Sequence, residues 1–139
     1  MKSYTWALLA TIVWGVAPVL EKIGLANAKP LAGVFLRSLA VFASALIIPL
    51  CYPGCLREIA GFNAKTITFI SLGGVLASII GSIFFYNALK LGEASRVVPI
   101  TASFPLISFV LGIAVLGEGV TFSKILGLAL VLGGVYLLK

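Results

Sequence analysis

The chain has 139 residues, 61% of them hydrophobic and 10% charged, with mean hydropathy +1.21 and net charge +6. A water-soluble globule of this size needs far more polar surface to cover its core, so a soluble enzyme is excluded and the chain belongs in a bilayer. With no histidine and no aspartate, Ser-His-Asp and Cys-His catalysis drop out together with most zinc sites, so no cofactor and no metal is expected.

Five apolar runs stand in order, each near the roughly 20 residues that cross a bilayer as a helix. The first covers about 4–25. Its length, and Glu21-Lys22 ahead of the small residues Ala26-Asn27-Ala28, favour a retained helix over a cleaved signal peptide. Pro18 is expected to bend it. The second run covers 31–52. Cys51 and Cys55 flank the turn after it, and nothing else suggests a disulfide-stabilised fold, so free thiols are favoured over a local bridge. The third, 66–89, carries two small-residue stripes, Gly73-Ala77-Gly81 and Gly74-Ser78-Ser82. Such stripes let helices approach closely in lipid, within one bundle or between subunits. The fourth, 97–116, holds Pro99 and Pro105, which predict a bent helix. The fifth covers 121–138.

Two charges fall inside these runs. Glu21 lies four residues from the end of the first, hence roughly 6 Å deep, and Arg37 six residues into the second, roughly 9 Å from the same face. A charge at the centre of a span costs about 2.5–3.5 kcal/mol. Depth, side and opposite sign predict an intramembrane ion pair or a shared polar cavity mouth, against the alternative that both side chains snorkel to the headgroups. Lys22 reads as a snorkelling anchor. Glu93 suits the start of the fourth span, with Ser95 as a candidate cap, and Lys90 and Arg96 beside it form either a structural cluster or a charged vestibule. Glu118 reads as a joint near Thr121 and Lys124. Trp14, Tyr86 and Asn87 are the preferred cavity liners, since the indole and amide need polar partners inside a membrane.

Trp14-Gly15, Arg37 and Tyr86-Asn87-Ala88-Leu89 resemble an EamA domain of the drug/metabolite transporter superfamily. Pro105, Leu116-Gly117-Glu118, and Gly127 through Gly133-Gly134-Val135 extend the likeness over essentially the whole chain. The common form has two such repeats and ten spans, whereas this chain holds one. The resemblance implies transport without naming a cargo. The small multidrug exporters are four-span relatives that dimerise around a glutamate of the first span, but Glu21 lacks their surrounding pattern.

The expected fold is therefore an all-α membrane protein of one domain, 1–139, with five transmembrane helices in one bundle, half of an inverted-repeat transporter. The expected function is secondary transport of a small polar or amphipathic metabolite or drug by alternating access in the cell membrane, with no enzymatic activity. Trp14, Glu21, Arg37, Tyr86 and Asn87 are the expected substrate-binding residues. The expected partners are the small-molecule substrate, membrane lipid and a second copy of the chain, with no nucleic acid. No G-x-x-x-x-G-K-[ST] run is present, which excludes ATP-driven transport by this chain alone. The alternative is an accessory or structural subunit, such as half of a lipid-carrier flippase.

An odd span number puts the termini on opposite faces. Lys2, Arg57, Lys65 and Lys124 fall on one side, against Lys22, Lys29, Lys90, Arg96 and Lys139, plus Arg37 if counted. Four against five or six is a weak orientation signal, which leaves both a parallel and an antiparallel homodimer open.

Overall fold

The computed structural model describes residues 3–137. Lys2, Lys139 and the end of the fifth run at Leu138 lie outside the described residues. Helix α1 is Ser3–Leu25, α2 is Pro30–Ala45, α3 is Ile48–Cys51 and α4 is Gly54–Ala60. Helix α5 is Ala64–Val75, joined through a π-helical segment, Leu76–Gly81, to α6, Ser82–Leu91. Helices α7, Ala94–Thr101, α8, Pro105–Leu116, and α9, Phe122–Leu137, follow. No strand occurs among the described residues. Four segments are long and apolar enough to cross a membrane: Ser3–Leu25, Pro30–Cys51, Ala64–Leu91 and Ala94–Leu116. Phe122–Leu137 is apolar but shorter, 16 residues, or roughly 24 Å against a hydrocarbon core near 30 Å. The all-α class and the five apolar spans are as the sequence led one to expect.

The helices begin and end for local reasons. Pro30 starts α2, where its missing N–H costs nothing. Asn63 caps α5, its side-chain oxygen accepting from the Thr66 N–H at 2.8 Å. The N-cap of α7 is Glu93, not Ser95; Glu93 makes no side-chain cap bond and pairs instead with Arg96 at 3.6 Å. Helix α8 ends at Gly117, whose φ of 68° is left-handed and suits glycine. The chain then folds back so that the Glu118 N–H reaches the Gly112 carbonyl at 3.1 Å.

Proline breaks two of the spans and spares one. Helix α1 runs unbroken through Pro18, and α7 through Pro99. In the fourth span the helix stops at Thr101 and resumes at Pro105. The Thr101 carbonyl, which Pro105 cannot serve, accepts instead from the Phe104 N–H at 3.2 Å, and Ser103 Oγ donates to the Ile100 carbonyl at 2.6 Å. Backbone freed inside a membrane must find such partners. The second span breaks as well, between Ala45 and Ile48, one residue ahead of Pro49. Ile47 N–H bonds three residues back to Ser44 at 3.1 Å, and Ser44 Oγ donates to the Ala40 carbonyl at 2.8 Å.

The chain divides into two compact units, one of Leu20–Lys90 and one of the residues on either side of it. The first unit has a small buried centre of Leu25, Val34, Tyr86 and Leu89, with Ser82 among them. Gly33 is the position that lets this centre close. A Cβ there would lie 2.9 Å from Leu25 Cδ2 and 3.1 Å from the Tyr86 ring. In the second unit, a Cβ at Gly112 would lie 3.3 Å from the Glu118 carboxylate, which folds onto α8 and pairs with Lys124 at 3.8 Å. Lys124 Nζ also donates to the Gly119 carbonyl at 2.9 Å, and Thr121 accepts from the Lys124 N–H at 3.3 Å. Glu118 thus sits in the joint that its sign suggested.

Gly33→Val should lower thermal stability in detergent by about 1–3 kcal/mol, the usual cost of overpacking. Gly73→Ala, where nothing lies within 4 Å, should change little. Equal melting temperatures for the two variants would refute the close packing at Gly33.

Candidate functional site

The charged pair forms. Arg37 Nε lies 3.2 Å from Glu21 Oε1, and the two side chains keep 35% and 19% exposure. Arg37 Nη1 donates to Ser82 Oγ at 3.2 Å and approaches the Ser78 carbonyl at 3.5 Å. One guanidinium thus ties α2 to α1 and to the third span.

The Ser78 carbonyl belongs to the π-helical segment, Leu76–Gly81, where the α-helical bonding pattern is interrupted. The Ser82 hydroxyl accepts from Arg37 and is aimed at the Ala77 carbonyl, 3.4 Å away. Tyr86, one turn beyond Ser82, is 4% exposed, and its hydroxyl feels both the Glu21 and the Arg37 charges.

Glu21, Arg37 and Tyr86 line a cavity of about 320 Å³ whose other walls are apolar, chiefly Leu20, Leu25, Leu36 and Ala40. Asn87 stands on the next position of α6. It is exposed, and its amide donates to the Ile83 carbonyl of its own helix at 2.7 Å. Trp14 belongs to the other compact unit and is 68% exposed. Of the five expected binding residues, the structure therefore brings three to one cavity. Among the described residues no group of His, Cys, Asp or Glu is arranged to hold a metal ion, and Cys51 and Cys55 are free thiols.

Sequence reasoning missed Ser82 as a partner of Arg37, and it missed a pair of lysine caps. Lys22 Nζ donates to the Leu89 carbonyl near the end of α6. Lys90 Nζ donates to the Leu25 and Ala26 carbonyls at the end of α1, at 2.6 and 2.9 Å. Each helix lends a cation to the other's C-terminus, where the last carbonyls carry partial negative charge. Lys22 is more than a headgroup anchor. The sequence signal was a basic residue in the last turn of each helix, which says that a C-terminus will be capped but not whose.

Single substitutions at the pair should cost more than the double. Glu21→Gln leaves a cation without its anion, and Arg37→Gln leaves the reverse while also releasing Ser82. Each should lose roughly 1–3 kcal/mol, below the range for a fully buried pair because both side chains reach solvent. The double variant should recover part of the loss. Additive changes in melting temperature across the cycle would mean that the two groups are not coupled.

The model of the EamA-like transporter family matches residues 1–139. An uncharacterized protein of Methanocaldococcus jannaschii is 32% identical over 132 residues, covering 95% of this chain and 92% of that protein. A protein of Sinorhizobium sp., named as an uncharacterized transporter in the cobO 3' region, is 27% identical over 133 residues, covering 96% of this chain and 93% of its own. No solved structure matches the chain.

Proposed function

Because the chain belongs to the EamA-like transporter family, a family of multi-pass membrane proteins, we propose that it moves a small polar or amphipathic solute across the membrane by alternating access. Glu21, Arg37 and Tyr86 are the residues that meet the solute. The observation that carries this reading is the cavity itself. It sets an ion pair and a phenol, within one span length of the membrane face, against walls of leucine and alanine. A few convergent polar groups in an apolar pocket are what orients a small ligand.

The working form is a homodimer. Most large apolar side chains of the described chain are exposed, which lipid and a second copy can share. Pairing two five-span copies in opposite orientations would recreate the inverted symmetry of two-repeat transporters. The balanced distribution of Lys and Arg supports insertion in both orientations.

Purified chain in liposomes should accumulate solutes from a mixed metabolite pool, read by mass spectrometry against liposomes holding Arg37→Gln. If nothing accumulates until another membrane protein is added, the chain is an accessory subunit and the transport reading falls. Single-cysteine tags at the two termini, in a Cys51→Ser/Cys55→Ser background, should each react with an impermeant reagent in intact cells. Reaction of one terminus alone would rule out dual orientation.

A further inference from the structure

We infer that the solute taken at this site carries an anionic group, a carboxylate or a phosphate-like oxyanion. It displaces Glu21 from Arg37, and Glu21 takes up one proton as it lets go. The inference rests on the transport reading above and gives the solute its charge.

Three features of Arg37 point to it. Glu21 holds the guanidinium by one contact, at Nε and 3.2 Å, although the Nε–Nη2 edge can grip a carboxylate by two parallel bonds. Among the described residues Nη2 has no acceptor, while Nη1 is held by Ser82 Oγ and the Ser78 carbonyl. Both Nη1 partners are neutral and belong to the third span, so an arriving anion does not compete for them. The guanidinium stays in position when Glu21 leaves, with its bidentate edge open to a cavity of about 320 Å³.

The sign of the solute follows from an asymmetry between the partners. Either charge of the pair could in principle be traded for one on a ligand. If a cation took Glu21, Arg37 would be left charged inside the span with no means of shedding its charge, since guanidinium does not deprotonate in proteins. If an anion takes Arg37, the carboxylate left behind can be neutralised by one proton. Only the second exchange leaves the site as neutral as it began. The proton comes from water with the solute and leaves with it. The groups that face Glu21 are Arg37 from α2 and the Tyr86 hydroxyl from α6. The neighbouring ammonium groups, Lys22 and Lys90, are committed to the helix-end carbonyls of Leu89, Leu25 and Ala26.

The apolar lining adds the second half of the specificity. Leu20, Leu25, Leu36 and Ala40 offer no partner to further polar groups, so the favoured solute has one anionic head and an apolar body.

The test uses full-length protein in lipid-free detergent micelles and matched probes: hexanoate, 4-phenylbutyrate and phenylphosphonate, each beside the amine and alcohol of the same body. The anions should raise the melting temperature and the amines and alcohols should not. Titration calorimetry in buffers of different ionisation enthalpy should show about one proton taken up per anion bound. Glu21→Gln should bind the anions at least as tightly with no proton uptake. Arg37→Lys, which keeps the charge and loses the fork, should bind them roughly tenfold more weakly or worse.

Stabilisation by the amines over the anions, equal proton uptake in Glu21→Gln, or unchanged binding in Arg37→Lys would each overturn the inference. So would an effect given only by phosphatidylglycerol in mixed micelles, which would make the ligand a lipid headgroup. Liposome uptake separates this from the transport reading. Movement of amines or alcohols would keep transport and sink the anion, whereas anion binding with proton uptake but no movement would do the reverse.

Discussion

A guanidinium inside a membrane span keeps its charge under every condition a cell provides, so everything near Arg37 is arranged around satisfying it. Glu21 supplies the countercharge from α1, and Ser82 and the Ser78 carbonyl supply neutral acceptors from the third span. Three elements that share little other buried surface are thereby held in one register. The apolar centre of Leu25, Val34, Tyr86 and Leu89 is small, and in lipid it has no hydrophobic driving force behind it. Directional polar contacts therefore specify how these helices meet. The lysine caps extend the same logic to the membrane face, where Lys22 and Lys90 exchange places at the ends of α6 and α1.

The backbone takes part as well. In water a helix with a displaced hydrogen bond loses little, because solvent steps in; in hydrocarbon a released carbonyl needs a protein partner. The Ile100 carbonyl, ahead of Pro105, accepts from both the N–H and the hydroxyl of Ser103, and in the π-helical segment Arg37 approaches the Ser78 carbonyl. The π-helical segment is thus part of the charge site rather than an irregularity beside it. It carries the Ser78 carbonyl that Arg37 approaches, and it sets the face that α6 presents. Ser82 and Tyr86, four residues apart, both turn inward to the buried centre.

How much of this could be read from the sequence depends on the range of each interaction. The Glu21–Arg37 pair was legible because it spans a short connection: depth, membrane side and sign could be counted from the ends of two adjacent runs. The joint at Glu118 and Lys124 was legible for the same reason. Ser82 was not, because its place opposite Arg37 depends on a π-helical segment that leaves no mark in composition. That segment also upsets the small-residue stripes, which assume an unbroken helical period from Gly73 to Gly81. Asn87 was misplaced by one position: Tyr86 faces the centre, and the next residue lies about 100° round the helix, where its amide settles on Ile83. The break ahead of Pro49 follows the same proline rule as the break at Pro105, whereas Pro99 stays inside an unbroken α7.

The exposures of the pair connect fold to function. Full enclosure would strengthen the attraction within the pair and keep competitors out, at the cost of desolvating both charges. Here the guanidinium keeps 35% exposure and, among the described residues, an Nη2 without an acceptor, while its neutral anchors, Ser82 above all, lie on the buried side. The division of labour runs through a single side chain. One edge, secured by groups that have no charge to lose, holds the position of the helix. The other edge is held by a carboxylate through one contact, and it is the edge that the proposed exchange would use. Under the proposed exchange the internal partner leaves while the neutral anchors keep the guanidinium in place, so binding and release of a solute need not undo the contact between α2 and the third span.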